Sequence, residues 1–218
     1  DEAINFKFSF ADKKTKKAFF PFHLRIPEWC KAAIIRINGE VVNADNYSGE
    51  ITKISREWQQ GDVLTLELPM EITSSEWYSR AAVIERGPLV YALKMNEQWE
   101  KKTFGPEEQD YGQWYYEVTS DSQWNYGLME DDLKPQNIKQ KFTIEKKNTV
   151  AAYPWNVENA PIVIKTKGYP VKGWKIDRGS TGKVPYYTQQ GGDFGEAQDI
   201  ELIPYGCTTL RITEFPIR

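Results

Sequence analysis

Two cysteines and one histidine are all that the 218 residues hold of the softer metal-binding side chains. That scarcity excludes a disulfide framework, and no Cys-x-x-Cys or His-x-x-x-His spacing supplies a zinc ligand set. Cys30 and Cys207 read as buried free thiols, because unpaired cysteine is mostly interior, although spacing alone leaves a bridge open. Charge of one sign is lacking too: Lys plus Arg is 28 against 31 for Asp plus Glu. Both signs are scattered, so no basic stripe is available to neutralise a phosphate backbone, and nucleic acid is not an expected partner. No apolar run approaches the ~20 residues that cross a bilayer as a helix, and no membrane partner is expected. Asp1-Glu2 is not the charged start of a signal peptide. A first residue other than Met, followed almost at once by strand-like sequence, implies a piece of something longer with any export signal upstream. No helix-period segment of useful length occurs, which predicts very little helix.

Aromatic residues are abundant instead. Twelve Tyr, ten Phe and eight Trp make up 14% of the chain, a proportion suited to strands, where flat rings pack on a pleated surface. Ile4, Phe6, Phe8 and Phe10 alternate with polar neighbours, and Phe20, Phe22, Leu24 and Ile26 repeat the pattern, so the two runs read as a hairpin. Asn38-Gly39 is a strong turn signal, because both residues tolerate positive φ, with Val41 and Val42 beginning the return strand. Arg56 to Asp62 reads as a polar turn into Leu64, Leu66, Leu68 and Met70, with Trp29 and Trp58 as lids on the first core. From Ala81 to Leu93 the chain is apolar except around Gly87-Pro88, a step expected to bend or bulge a strand. Lys94 to Pro135 reads as exposed, irregular connections with short strands. Ile162 and Ile164 face one way, and Ile200–Ile203 with Thr209–Ile212 form a final pair around Pro204-Tyr205-Gly206. Turn signals about every ten residues favour a sandwich.

Four stretches carry a resemblance: Leu24-Arg25-Ile26-Pro27-Glu28-Trp29-Cys30, Arg86-Gly87-Pro88-Leu89-Val90-Tyr91-Ala92-Leu93, Tyr153-Pro154-Trp155-Asn156, and the run from Leu202 to Thr213. In order and spacing the chain resembles the C-terminal part of the β-L-arabinofuranosidase-like glycoside hydrolases, families 127 and 146. The resemblance implies an all-β chain of two antiparallel sandwiches, jelly-roll or Ig-like, the first truncated at its N-terminus. Domains of 1–73 and 74–218 are expected, divided between Thr73 and Trp77, with the polar stretch after Leu93 as the alternative. In the family an (α/α)6 barrel does the catalysis with a zinc-bound cysteine. No cysteine cluster of that kind is present, so no catalytic role passes to Cys30 or Cys207 and zinc is expected only in the barrel. The expected partners are that barrel, from the same parent chain, and plant polysaccharide or an arabinose-containing glycan. Glycan breakdown implies a periplasmic or secreted parent.

Glycoside hydrolysis usually needs two facing carboxylates. Glu85, Glu117, Glu145, Glu158 and Glu201 sit beside Lys or Arg or at outward strand positions, and read as solvated surface. Arg25 and Arg211 read as holding carboxylates or backbone oxygens. Gly191-Gly192-Asp193-Phe194-Gly195 lacks the Lys and helix start of a phosphate loop and reads as a mobile loop. Sugars stack their C–H faces on exposed rings, and Trp114, Tyr115, Trp124, Tyr126, Trp155 and Trp174 lie in loop-like polar sequence. They are the candidate carbohydrate contacts, weighed against packing between strands or on another domain.

Overall fold

A computed structural model describes residues 2–42, 48–105, 112–186 and 194–218. Pro106, Tyr111 and the Gly191-Gly192-Asp193 part of the Gly-rich loop lie outside them. The chain divides into two compact units, Asp1–Glu71 and Ile72–Arg218, and both are built of antiparallel strands.

In the first unit the strands are β1 Ala3–Lys7, β2 Lys17–Arg25, β3 Ile34–Ile37, β4 Glu40–Val41, β5 Ile51–Gln59 and β6 Val63–Glu67. They form one sheet in the order β1-β6-β3-β4 and a separate ribbon, β2-β5. The expected hairpin between the first two aromatic runs does not form. β1 pairs with β6, and β2 pairs with β5 over nine residues. Their aromatic stripes face each other instead, with Phe6 and Phe8 each 5.2 Å from Phe22 between ring centroids. Alternation gives each strand an apolar face, and burial against the opposite sheet satisfies it as well as pairing in one sheet would.

β5 runs through the supposed turn at Arg56-Glu57-Trp58. Trp58 is the centre of this core at 0% exposure, stacked on Phe8 at 4.0 Å and donating its indole N–H to the Phe20 carbonyl at 3.1 Å. Trp29 does lie at the margin of the cluster, half-buried. The turn at Asn38-Gly39 forms as expected, with φ of 53° and 91°, and it joins β3 to β4. Asp62 stitches two turns together by accepting from Asn38 Nδ2 and from the Gln59 N–H, each at 2.9 Å.

The second unit contains β7 Ile72–Glu76, β8 Ala82–Arg86, β9 Leu89–Leu93, β10 Gln98–Thr103, β11 Trp114–Thr119, β12 Tyr126–Gly127, β13 Thr143–Lys146, β14 Ile162–Pro170, β15 Ile176–Asp177, β16 Ser180–Thr181 and β17 Gln198–Pro204. Its main sheet runs β12-β14-β17-β9-β8-β7, and β13 also pairs with β14. Gly87-Pro88 does more than bend a strand: Arg86 pairs with Leu89, and the chain reverses in two residues. Gly87 supplies the positive φ of 58° that this reversal needs.

One face of the main sheet is buried by a cluster that includes Ile84, Leu93, Ile164, Leu202 and Phe215. Ile203, Cys207 and Ala160 form a smaller one with Val163, so β14 and β17 carry apolar residues at successive positions. Thr209–Ile212 is not the partner of β17. Leu93 donates its N–H to the Ile212 carbonyl, and Phe215 exchanges backbone bonds with Ala82, while β17 lies between β14 and β9.

In keeping with the expectation of very little helix, the described residues contain two short ones, α1 Glu130–Leu133 and α2 Pro135–Lys141. At four and seven residues neither is long enough to display a helical period. Their end signals are nevertheless in place, with three acids in the first turn of α1, and Pro135 starting α2 ahead of Lys139 and Lys141 in its last turn. Ile138 is the buried residue that anchors α2. Among the described residues no helix is long and apolar enough to cross a membrane.

Candidate functional site

The six aromatic candidates fall into three places. Trp124 and Trp174 form an edge-to-face pair with centroids 5.0 Å apart. Trp174 is 3% exposed and Tyr126 6%. The Trp174 indole donates to the Gly182 carbonyl at 2.9 Å, and the Tyr126 hydroxyl donates to Gln198 at 2.7 Å. Trp174 and Tyr126 are core residues whose polar tips are satisfied, despite their polar sequence surroundings, and Trp124 is half-buried against the same core. Trp155 is 57% exposed and lies beside the Tyr205-Gly206-Cys207 turn. A Cβ built on Gly206 would meet its ring at 3.3 Å, and the Cys207 thiol reaches the Pro154 carbonyl at 3.3 Å. Two of the resemblance-bearing stretches therefore meet here. The guanidinium of Arg211 lies 4.4 Å above the Tyr205 ring, and its Nε donates to the Thr208 carbonyl, the backbone role expected of it.

Trp114 and Tyr115 stand on opposite faces of β11. β10 and β11 form a two-stranded ribbon of their own, in which Lys101 opposes Tyr116 and Thr103 opposes Trp114. Alternation places Trp99, Trp114 and Tyr116 on one face, and all three are exposed. Tyr116 is edge-on to both tryptophans, at 5.5 Å from Trp99 and 5.3 Å from Trp114, and the Lys101 ammonium sits 4.4 Å over the Trp114 ring. On the other face Tyr115 packs against Phe104 at 4.8 Å. There Glu100 and Glu117, opposed in register, are bridged by Lys102 at 2.7 and 3.5 Å. Trp99 and Tyr116 escaped the sequence reading, although period-two alternation across 99–103 and 114–118 groups them with Trp114.

At the root of the ribbon, Glu97 accepts from the Thr208 hydroxyl at 2.8 Å, from the backbone of Thr209 and Leu210, and from the Trp99 indole. Burial pushes its pKa up, yet these four donors outweigh it and hold the carboxyl below the usual glutamate range. The carboxylates singled out earlier do not converge into an acid–base pair. Glu145 and Glu201 share Lys165, at 2.8 and 3.7 Å, and Glu201 also meets Lys94 at 2.6 Å. The Lys94 ammonium holds the Glu201 carboxyl below its ordinary range, whereas a general acid needs its pKa raised. Glu117 pairs with Lys102, Glu85 is half-buried, and Glu158 is exposed. Both cysteines are free and buried, and burial raises the Cys207 thiol pKa, which disfavours the nucleophilic thiolate. Among the described residues no three His, Cys, Asp or Glu side chains are grouped so as to hold a metal ion.

Comparison with known proteins places these features. Residues 1–70 match the family model described as beta-L-arabinofuranosidase, GH127 middle domain. No curated protein matches the chain. Among solved structures, one named glycoside hydrolase is 20% identical with a TM-score of 0.61, over 99% of this chain and 30% of that one. A GH127 β-L-arabinofuranosidase from Geobacillus stearothermophilus T6 is 22% identical with a TM-score of 0.58, over 100% of this chain and 29% of that one. A further GH127 β-arabinofuranosidase is 17% identical with a TM-score of 0.58, over 100% and 30%. The chain thus spans about three tenths of the length of the solved structures it matches, and likeness at these identities establishes fold alone. The first unit is a GH127 middle-domain match, and the chain as a whole has the β fold found within glycoside hydrolases of that kind.

Proposed function

We propose that this chain is the non-catalytic β-sandwich portion of a β-L-arabinofuranosidase-like glycoside hydrolase, following and supporting an (α/α)6 catalytic barrel in the breakdown of plant glycans. The observation that carries the reading is the GH127 middle-domain match over residues 1–70. Its chemistry is consistent with that role: Glu117, Glu145 and Glu201 are paired with lysines, and the two thiols are buried. On this reading zinc and the nucleophile belong to the barrel. Exposed rings on the second unit, among them Trp77, Tyr78, Trp99 and Trp114, offer apolar area of the kind that domain interfaces use.

The purified chain, incubated with an aryl β-L-arabinofuranoside and zinc, is expected to give no hydrolysis above the buffer rate. Zinc-dependent turnover by the pure chain overturns the proposal. A second reading, a carbohydrate-binding module, is favoured by the aromatic face of the β10–β11 ribbon, where Trp99, Trp114 and Tyr116 are exposed together. Calorimetric titration with arabinan tests the second reading, because a binding module built on the ribbon gives heat that a Trp99→Ala/Trp114→Ala variant loses, and heat that the variant keeps in full does not come from the ribbon.

A further inference from the structure

A cleft of about 580 Å³ opens in the second unit at the root of the β10–β11 ribbon, where Glu97 lines it and accepts from the Trp99 indole, within the range of small-molecule sites. Its floor is apolar, with Leu93, Met95, Val157 and Ile200 in the lining. Its rim is polar, and much of it is fixed in advance. Asn96 accepts from the Ser120 hydroxyl at 2.7 Å and from the Ser122 hydroxyl, donates its amide to Asp121, and donates its backbone N–H to Ser122 Oγ at 3.1 Å. Gln123 donates to Asn125, which is itself bound to the carbonyls of Val171 and Trp174 at 2.8 and 2.9 Å. Across the cleft, Glu201 is held by Lys94, and Asp199 by Lys167 at 2.7 Å.

We infer that this cleft is a binding site for a neutral saccharide. The apolar floor suits the C–H face of a sugar ring, while the amide, hydroxyl and carboxylate groups around it suit hydroxyls, which both donate and accept. Four carboxylates line the cleft, Glu97, Glu158, Asp199 and Glu201, and three ammonium groups, Lys94, Lys165 and Lys167, pair with two of them, which leaves Glu97 and Glu158 without a lysine partner among the ion pairs of the described residues. An anionic ligand would bring like charge against them at a cost in affinity. Side chains already locked by their neighbours lose little entropy when a ligand arrives. The inference rests on the preceding reading only for the choice of one probe.

The test is an NMR and calorimetric titration of the 218-residue chain with four probes: an arabinofuranosyl oligosaccharide, a cello-oligosaccharide, an oligogalacturonide and spermidine. At least one neutral sugar is expected to bind with a Kd on the order of millimolar, shifting the backbone amides of Asn96, Ser122 and Gln123. The oligogalacturonide should bind about tenfold more weakly or worse. Gln123 and Glu158 are both exposed, so Gln123→Ala/Glu158→Ala removes two polar groups from the cleft rim at little folding cost and should weaken the sugar by about tenfold or more. Trp114→Ala, whose ring touches Tyr116 and Lys101 rather than the cleft lining, should leave it within about twofold. The site is overturned if neither neutral sugar binds, if only spermidine or the oligogalacturonide binds, or if binding survives Gln123→Ala/Glu158→Ala and disappears in Trp114→Ala. Binding of the cello-oligosaccharide alone would uphold the cleft and count against the arabinofuranosidase reading. Silence from both neutral sugars would end the cleft proposal and leave the supporting role standing.

Discussion

The β2–β5 and β10–β11 ribbons start from the same design, two antiparallel strands with an aromatic stripe on one face, and end in opposite environments. In the first, Phe20, Phe22 and Trp58 lie against Phe6 and Phe8 from the other sheet of the unit, and Trp58 has no exposed surface. In the second, Trp99, Trp114 and Tyr116 touch one another and Lys101, and remain about half exposed. Period-two alternation builds an apolar face, but only an opposing sheet turns that face into a core. An uncovered stripe is what a recognition surface requires and what a stable interior avoids.

The largest effect that would test this contrast is Trp58→Ala, expected to cost about 3–5 kcal/mol through loss of burial and the cavity left behind. Urea unfolding followed by a probe in the first unit measures it, and a cost comparable with that of a surface tryptophan would erase the distinction. Next come the carboxylates that tie each ribbon down. Asp62→Ala and Glu97→Ala should each cost about 1–3 kcal/mol, because each abandons buried or half-buried donors, and Glu97→Ala should also speed hydrogen exchange at the root of β10. A single Glu97→Gln variant sharpens the point through pH. The folded-state pKa of Glu97 is lowered, so its contribution is fully present above the ordinary glutamate pKa and is lost as pH falls through the lowered value. Glu97→Gln should flatten that part of the acid limb, and an unchanged limb would mean that the bonds to Thr208, Thr209 and Leu210 do not discriminate charge. Smallest of all, Trp99→Ala and Trp114→Ala should each change stability by no more than about 0.5 kcal/mol. A larger loss would show that the second ribbon is already part of a core.

Local chemistry was readable where a turn or a strand depends on its own residues. Asn38-Gly39 is such a case, since positive φ at two successive positions is a property of those two side chains. Strand partners were not readable: Phe6 and Phe22 share a period, and the same period serves a neighbour in one sheet or a facing strand in another. Gly87-Pro88 was recognised as an interruption but not as a complete reversal, because the reversal is confirmed only by the pairing of Arg86 with Leu89. At the candidate surface Trp114 was recognisable from its polar surroundings. Trp174 and Tyr126 shared those surroundings and are buried by strands distant in sequence.

Composition and alternation by themselves determined that this chain is all-β, that its thiols are too few for a framework and that its aromatic residues dominate packing. Tertiary structure alone decided which aromatic stripe is covered, which acids are neutralised by lysines on neighbouring strands, and where a cleft opens beside β9 and β17. The reason is physical: backbone preference and the side-chain period act over a few residues, whereas burial and ion pairing depend on which distant strand arrives opposite.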